Sequence, residues 1–547
     1  MRLIMKKLLL VFIAISLCGN IQADQSVIIK SDNDSIKTAP SSWWMLDPEA
    51  DLVPGISTEK AYKFLEGRTS QTVTVAVIDS GIDIDHEDLK DVIWTNVDEI
   101  AGNGVDDDQN GYIDDIHGWN FLGSEEGDNV KYDSYELTRE YVRLQQKYAG
   151  MTEAQKENDE EWAYFRKIEN EYNSTVEKME NQFAGFNNFY EQYKKAERLL
   201  KAYTDREELT REDLISWDSP DDKITLARDI MLTAFDNGLD SDHMEQGNEY
   251  FTTALNYGYN QDFDPRKIIG DDIDNPYEKT YGNNDVIGNY AFHGTHVAGI
   301  IAASRHNGVG VDGIADNVRI MVVRAVPNGD ERDKDVANAI IYAVENGAQI
   351  INMSFGKRFS PDKEAVDKAV KFAESKGVLL IHAAGNSAHN NDEIIHYPSK
   401  TIASTGESVN NWLEVGAVSW KGGNELPASF SNYGKQSVDL FAPGVDILSS
   451  APDQKYKEAS GTSMAAPVTT GVAAMIMSYF PGLSAEEVRN ILIKSTVDFS
   501  KQKVTIPGTE EETKFGELSE TGGVVNAYQA VKLAQKSRPK GKKLRKE

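Results

Sequence analysis

The sequence predicts an α/β protein: a doubly wound, mostly parallel sheet with helices on both faces, interrupted by a large, mainly helical insertion. Three observations lead there. Short apolar runs alternate with helical patterns over residues 71–123 and 285–536. Several of those runs are apolar on both faces, as strands of a covered parallel sheet must be. Residues 124–284 lose this texture and place apolar side chains at intervals of three and four instead.

Taken in order, the chain opens on MRLIMKKLLLVFIAISLCGNIQA, where Arg2, Lys6 and Lys7 precede an apolar run from Leu8 to Leu17. That is the build of a secretory signal over residues 1–23, too short for a good membrane span. Cleavage after Ala23 would remove the single cysteine, so neither disulfides nor a thiol nucleophile are expected. Cys18 offers a rival reading as a lipidated cysteine, ranked second because the preceding Leu17 is bulky. The expected location is secreted, periplasmic or cell-surface. Residues 24–70 read as an N-terminal extension, and no later segment is apolar enough to span a bilayer.

TVTVAVI, VRIMVVRAV, AQIINMSF, VLLIHAA and WLEVGAV read as strands, with helical stretches at 333–345 and 362–375 between them. In the insertion, Trp162, Phe165, Ile168, Tyr172, Val176, Met179 and Phe183 form one apolar stripe. Phe186, Phe189, Tyr193, Ala196, Leu200 and Tyr203 continue it past Gly185, and Leu137, Tyr141, Leu144 and Tyr148 mark an earlier helix. These stripes suit a helical hairpin or small bundle. Residues 537–547 form a basic tail, read as a solvated end. The whole carries 57 Lys and Arg against 88 Asp and Glu, a formal charge of −31. Phosphate binding needs positive surfaces, so the charge argues against a general nucleic-acid role, while surplus carboxylates suit hard cations.

Four short segments could carry chemistry. VAVIDSGID places Asp79 at the carboxyl end of a strand, where it could orient a histidine, bind a ribose or cap a loop. FHGTHVAGIIAA offers His293 and His296; their spacing is three, with Gly294 and Thr295 between, whereas a zinc helix needs four and a Glu. A general base is the better reading for His293, and a satisfied buried imidazole for His296. Asn386 in HAAGN is either an oxyanion donor or a turn residue. In SGTSMAAPVTTGVAAMIM, Ser463 begins a helix with no polar face, which must therefore be buried. The amide groups of that terminus favour negative charge beside Ser463. An acid, a base, an amide donor and a hydroxyl make the kit for acyl transfer.

VIDSGID, HGTHVAG, NMSFG, AAGN and GTSMAAP, in that order, closely resemble the subtilisin-like serine peptidases, or subtilases. The likeness covers about 43–123 and 285–534, and the order Asp, His, Ser is subtilisin's own. It implies a subtilisin-like fold and a secreted serine endopeptidase acting on protein or peptide substrates through an acyl-enzyme. By it Asp79 orients the base His293, Ser463 is the nucleophile and Asn386 the oxyanion donor. Asn352, Met353, Ser354, Phe355 and Gly356 would be the edge strand that pairs with substrate backbone.

DDDQNGYIDD adds a cation site. Asp106, Asp108 and Asn110 alternate, Gly111 permits a sharp turn, the Tyr112 carbonyl follows and Asp114 takes the ninth place, as in the first half of an EF-hand loop. His117 stands where a bidentate Glu is usual, so Asp115 is expected to substitute. A structural Ca²⁺ is the expectation, strengthened by the use of calcium to pin loops in other subtilases. The acidic run at 270–276 is a weaker candidate. Two features depart from the family's simple pattern. The long interval from Asp79 to His293, filled by 124–284, could shade the cleft, recruit a protein partner or form a homodimer. The stretch from Ala23 to Thr72 is too short for an inhibitory pro-domain plus linker. The alternative to an active peptidase is an occluded or vestigial subtilase scaffold that binds a protein through its insertion.

Overall fold

A computed structural model describes residues 38–217 and 219–537. The expected signal segment with Cys18, the first part of the extension and residues 538–547 of the basic tail lie outside the described residues. The chain divides into two compact units, Met1–Lys131 with Pro265–Glu547, and Tyr132–Asp264.

The first unit holds strands β1 (Val73–Asp79), β2 (Gly118–Asn120), β3 (Val318–Arg324), β4 (Ile350–Met353), β5 (Leu379–Ala383), β6 (Trp412–Val418) and β7 (Leu440–Pro443). They are followed by β8 (Ile447–Ala451), β9 (Lys455–Ala459), β10 (Val497–Asp498), β11 (Lys503–Thr505), β12 (Glu512–Lys514) and β13 (Gly523–Val524). Nine strands form one sheet in the order β10-β13-β7-β6-β5-β4-β1-β3-β2. Neighbours run parallel except β10 and β13. Because β1 lies between β3 and β4, the winding reverses at β1, and Asp79 ends on the crevice where such sheets place ligands.

The predicted fold class is therefore observed, and its cause is visible in β1. Val73, Val75 and Val77 face one core with the helices Phe292–Ala302 and Thr462–Tyr479. Ala76 and Ile78 face the opposite core with the helices Asp333–Glu345 and Lys363–Lys376. Alternate side chains point to opposite faces, so a strand covered on both sides must be apolar throughout. β2 and β9 escape sequence reading for opposite reasons. The first has three residues, and the second, KYKEA, is largely exposed in a two-stranded ribbon with β8.

The expected extension is not a separate piece. Trp43, Trp44, Ile56, Ala61 and Leu65 enter the first core, and Trp43 Nε1 donates to the Val445 carbonyl at 2.9 Å. The second unit is narrower than 124–284. Residues 265–284 fold with the sheet, because Arg266 donates to both oxygens of Asp335, at 2.6 and 2.7 Å, and Tyr281 to the same carboxylate at 2.6 Å. Their polar texture reflects buried ion pairs rather than an inserted body.

Tyr132–Asp264 is helical, with main helices at Glu136–Tyr148, Trp162–Thr204, Asp222–Phe235 and Ser241–Thr253. Phe165, Ile168, Tyr172 and Met179 are buried, as the stripe requires, and Tyr141 stacks on Tyr172 with centroids 4.4 Å apart. Gly185 does not interrupt the long helix, since one glycine costs only about 1 kcal/mol. Among the described residues no helix is long and apolar enough to cross a membrane.

Candidate active site

The site is assembled at the carboxyl ends of β1, β4 and β5. Asp79 closes β1 with its side chain 2% exposed, and its carboxylate receives His293 Nδ1 at 2.8 and 2.9 Å. The same carboxylate accepts the Ser80 amide at 2.7 Å, which fixes its plane. Nδ1 must carry the proton to serve this contact, leaving Nε2 with a lone pair. Burial pulls the His293 pKa down, but the charge and hydrogen bond of Asp79 outweigh it and hold it above the ordinary imidazole value.

Gly294 explains how the helix comes so close. A Cβ there would lie 2.3 Å from the Gly81 carbonyl oxygen and 3.2 Å from the Asp79 Cβ. His296, one turn on, is fully buried and hydrogen-bonds through Nε2 to the Lys457 carbonyl at 2.9 Å. Burial pushes its pKa down to about 4, so it is a neutral core residue, the structural role expected for it.

Ser463 is the second residue of the helix Thr462–Tyr479 and is partly exposed. Its hydroxyl donates to the Ser354 carbonyl at 3.0 Å, and no hydrogen bond joins it to His293 among the described residues. In return the Ser354 hydroxyl donates to the Ser463 carbonyl at 2.9 Å. Pro467 makes this exchange available: four residues on, it has no N–H to give to that carbonyl. The hydroxyl is thus parked on the β4 extension.

Asn386 follows β5 and is exposed. Its Oδ1 accepts the Thr462 amide at 2.8 Å and the Thr462 hydroxyl at 2.9 Å, which commits Nδ2 to face outward as a donor. A Cβ built on Gly461 would sit 3.4 Å from Asn386 Nδ2 and 3.6 Å from the Ser463 nitrogen. Two donors therefore converge on the space that glycine leaves open, which suits a developing oxyanion.

The structure corrects part of the expected substrate strand. Asn352 and Met353 are fully buried in β4, which is paired on both sides, with β1 and with β5. Asn352 instead hydrogen-bonds to Ser354 and Thr470 in the interior. Ser354, Phe355 and Gly356 run beyond the sheet; Ser354 and Phe355 are also buried, at 2% and 9% exposed, and Ser354 meets Ser463.

The acidic loop is also rearranged. Oxygens of Glu99, Asp106 and Asp108 lie within 4.8 Å of one another, and none of the three forms a salt bridge among the described residues. Asn110 adjoins them, its amide donating to Asp108 and Asp115 at 3.1 and 3.2 Å. Asp114 does not face this cluster. Its carboxylate accepts the backbone amides of Gly102, Asn103 and Gly104 at 2.7, 3.2 and 2.8 Å. Asp115 accepts Asn96 at 2.8 Å and the Tyr342 hydroxyl at 2.5 Å, and burial raises its pKa to about 6. The Tyr112 ring packs against Trp119 and Tyr342, so only its carbonyl remains for a cation. In the weaker run at 270–276, Asp271 is taken by Arg266 and Lys334.

The model of the subtilase family matches residues 70–522. The chain belongs to the subtilase family. This subtilase is 37% identical over 281 residues to the thermophilic serine proteinase of Bacillus sp. (strain AK1), covering 51% of this chain and 60% of that one. It is 40% identical over 225 residues to the major intracellular serine protease of Bacillus subtilis (strain 168), covering 40% and 66%. Thermitase of Thermoactinomyces vulgaris is 35% identical over 268 residues, covering 48% and 81%. The chain thus spans under two thirds of the length of the first two relatives.

Sequence reasoning passes over two residues that shape the site. Glu99 belongs to the acidic cluster but lies outside the run that announces it. Arg324, 1% exposed at the end of β3, donates to the carbonyls of Ser80 and Val130 at 2.9 and 2.8 Å. It so fastens the turn after Asp79, and an arginine in an apolar strand was the available clue.

Proposed function

We propose that this subtilase is a serine endopeptidase, with Asp79, His293 and Ser463 as triad and Asn386 with the Ser463 amide as oxyanion hole. The two-oxygen contact of Asp79 with His293 Nδ1 carries the reading, because it holds the tautomer that leaves Nε2 free to take a proton. Ser463 rotates from Ser354 to His293, loses its proton to Nε2 and attacks the peptide carbonyl. The negative oxygen is received by Asn386 Nδ2 and the Ser463 amide. His293 then protonates the leaving amine, and water hydrolyses the acyl-enzyme by the same steps. Ser354, Phe355 and Gly356 pair with the substrate backbone. The signal-like start of the sequence supports export of the chain.

A structural Ca²⁺ belongs to the same proposal. Glu99, Asp106 and Asp108 would hold it, with Asn110, the Tyr112 carbonyl and Asp115 at hand. The donor set is all oxygen, as a hard cation takes, and the backbone amides that Glu99 and Asp106 accept leave lone pairs on each carboxylate for the ion. The ion would supply loop rigidity and take no part in bond making.

The parked Ser463 hydroxyl favours a second reading, a scaffold that does not turn over and binds a partner, or a second copy, through Tyr132–Asp264. Labelling with a fluorophosphonate decides between them. The peptidase reading expects Ser463-dependent labelling of the wild type and none in Ser463→Ala. A wild type that stays unlabelled with and without Ca²⁺ would leave only the scaffold.

A further inference from the structure

Behind the candidate active site, three side chains from β5, β6 and the loop between them meet without a role in peptide cleavage. Ligand atoms of His382, His396 and Glu414 lie within 4.8 Å of one another. His382 Nδ1 faces both oxygens of Glu414 at 3.0 Å, and its Nε2 faces the Phe355 carbonyl at 2.8 Å. A carbonyl only accepts, so Nε2 carries a proton, and a second proton must lie between Nδ1 and the carboxylate. His396 Nδ1 is buried with no hydrogen-bond partner, an orphan that calls for an occupant.

We propose that His382, His396 and Glu414 form a binding site for a divalent transition ion of the Zn²⁺ type. Two imidazoles and one carboxylate with an open position are a zinc donor set, and they are too nitrogen-rich for Ca²⁺. The 3.0 Å edge between His382 and Glu414 is close to the edge of a zinc tetrahedron, about 3.3 Å from bonds of 2.0–2.1 Å. The surroundings are those of ligating groups. A metal-bound imidazole gives its other N–H to a carbonyl, as His382 does to Phe355, and Trp412 Nε1 donates to Glu414 at 2.9 Å. His396 is the partly exposed member and marks the way in. Burial, with His382 and His389 close by, pushes its pKa down to about 3, which keeps its lone pair available. Binding exchanges the shared proton for the ion: the N–H at His382 Nδ1 breaks, the metal–nitrogen bond forms and the proton leaves to solvent.

The site reports to the substrate side. His382 holds the Phe355 carbonyl, and a Cβ on Gly356 would lie 2.2 Å from the His396 ring. A bound ion that draws His396 inward would shift the segment that pairs with substrate, so Zn²⁺ should slow hydrolysis. That last effect alone rests on the peptidase reading.

The experiment uses the full chain as Ser463→Ala, titrated with Co²⁺ as a visible probe. The proposal expects one tightly held ion with the strong absorption of tetrahedral cobalt. It also expects release of a proton, read by calorimetry in two buffers. His396→Ala, at the half-buried member, should lose the band, while Asp106→Asn in the acidic loop should keep it. No band, or a band that survives in a folded His396→Ala, overturns the site. With wild type, Zn²⁺ inhibition relieved by chelator and absent in His396→Ala supports the coupling. Metal-loaded enzyme hydrolysing at the unloaded rate overturns the coupling.

Discussion

The Asp79 carboxylate meets His293 Nδ1 with both oxygens, at 2.8 and 2.9 Å, across 214 residues of sequence that include a whole helical unit. Proximity here is a property of the sheet: Asp79 ends β1 and the helix of His293 packs directly beneath it.

This contact sets a pH profile. In the proposed mechanism His293 works with Nε2 unprotonated, so the rate should rise with pH. Asp79 holds the imidazole pKa above its ordinary value, so the midpoint in kcat/KM should lie above about 6.5. In Asp79→Asn the attraction is lost while burial remains, and the midpoint should fall below that value. The rate itself should drop on the order of 10⁴-fold, since the amide favours the wrong tautomer. A profile whose midpoint does not move would remove Asp79 from the mechanism.

Asn386→Ala should lower kcat by about 10²–10³, the loss found for the same kind of donor in subtilisin, with KM little changed. The split matters. Nδ2 faces outward at the point shared with the Ser463 amide, and in the proposed mechanism it meets charge that exists only in the transition state. A rise in KM with kcat intact would make Asn386 a ground-state contact instead.

The sheet was legible because strands buried on both faces have a distinctive composition. The long helix was legible because its stripe repeats over many turns. What failed had physical causes. Asn352 and Met353 look like accessible strand residues, yet their accessibility depends on β1 and β5 closing on either side. Asp114 alternates as a ligand should, but the turn at 102–104 presents three amides that claim its carboxylate. Glu99 lies just outside the acidic run and His396 in the loop between β5 and β6, and no local pattern ties either to the cluster it joins.

The proposed Ca²⁺ site expects that chelation loosens the loop rather than stops the chemistry. Chelation is expected to lower the Tm of Ser463→Ala, by a free energy of about 2.7 kcal/mol if the ion was present at a hundred times its Kd. Asp106→Asn with Asp108→Asn should start from the lowered Tm and respond no further. A wild type indifferent to chelator would show that the three carboxylates stand without an ion.

Gly294→Ala should injure both stability and rate. Its Cβ would strike the Gly81 carbonyl at 2.3 Å, and backbone cannot swing aside as a side chain can. We expect about 1–3 kcal/mol of destabilisation and roughly 10²-fold lower kcat, because displacing the helix stretches the His293–Asp79 contact. Gly185→Ala in the long helix is the control. Nothing lies within 4 Å of its would-be Cβ, so it should stabilise by up to about 1 kcal/mol. Equal behaviour of the two variants would refute the packing argument.

Acid should weaken the fold through His296. Burial holds its pKa near 4 in the native chain, against about 6.5 when unfolded. Between those values the unfolded state binds the extra proton, so stability falls as pH drops through this window, by about 3 kcal/mol in all. His293 has the opposite sign and a different window. Its raised pKa lends stability that is complete below about pH 6.5 and is lost only as pH rises past its native value. Asp115, pushed up to about 6, partly opposes His296 below neutrality, so the total slope is not diagnostic. A difference is. His296→Gln can still donate to the Lys457 carbonyl but cannot take up a proton. Urea midpoints of Ser463→Ala with and without His296→Gln should therefore diverge between pH 6.5 and 4, the histidine chain falling faster. Parallel curves would mean that His296 is not held neutral by burial.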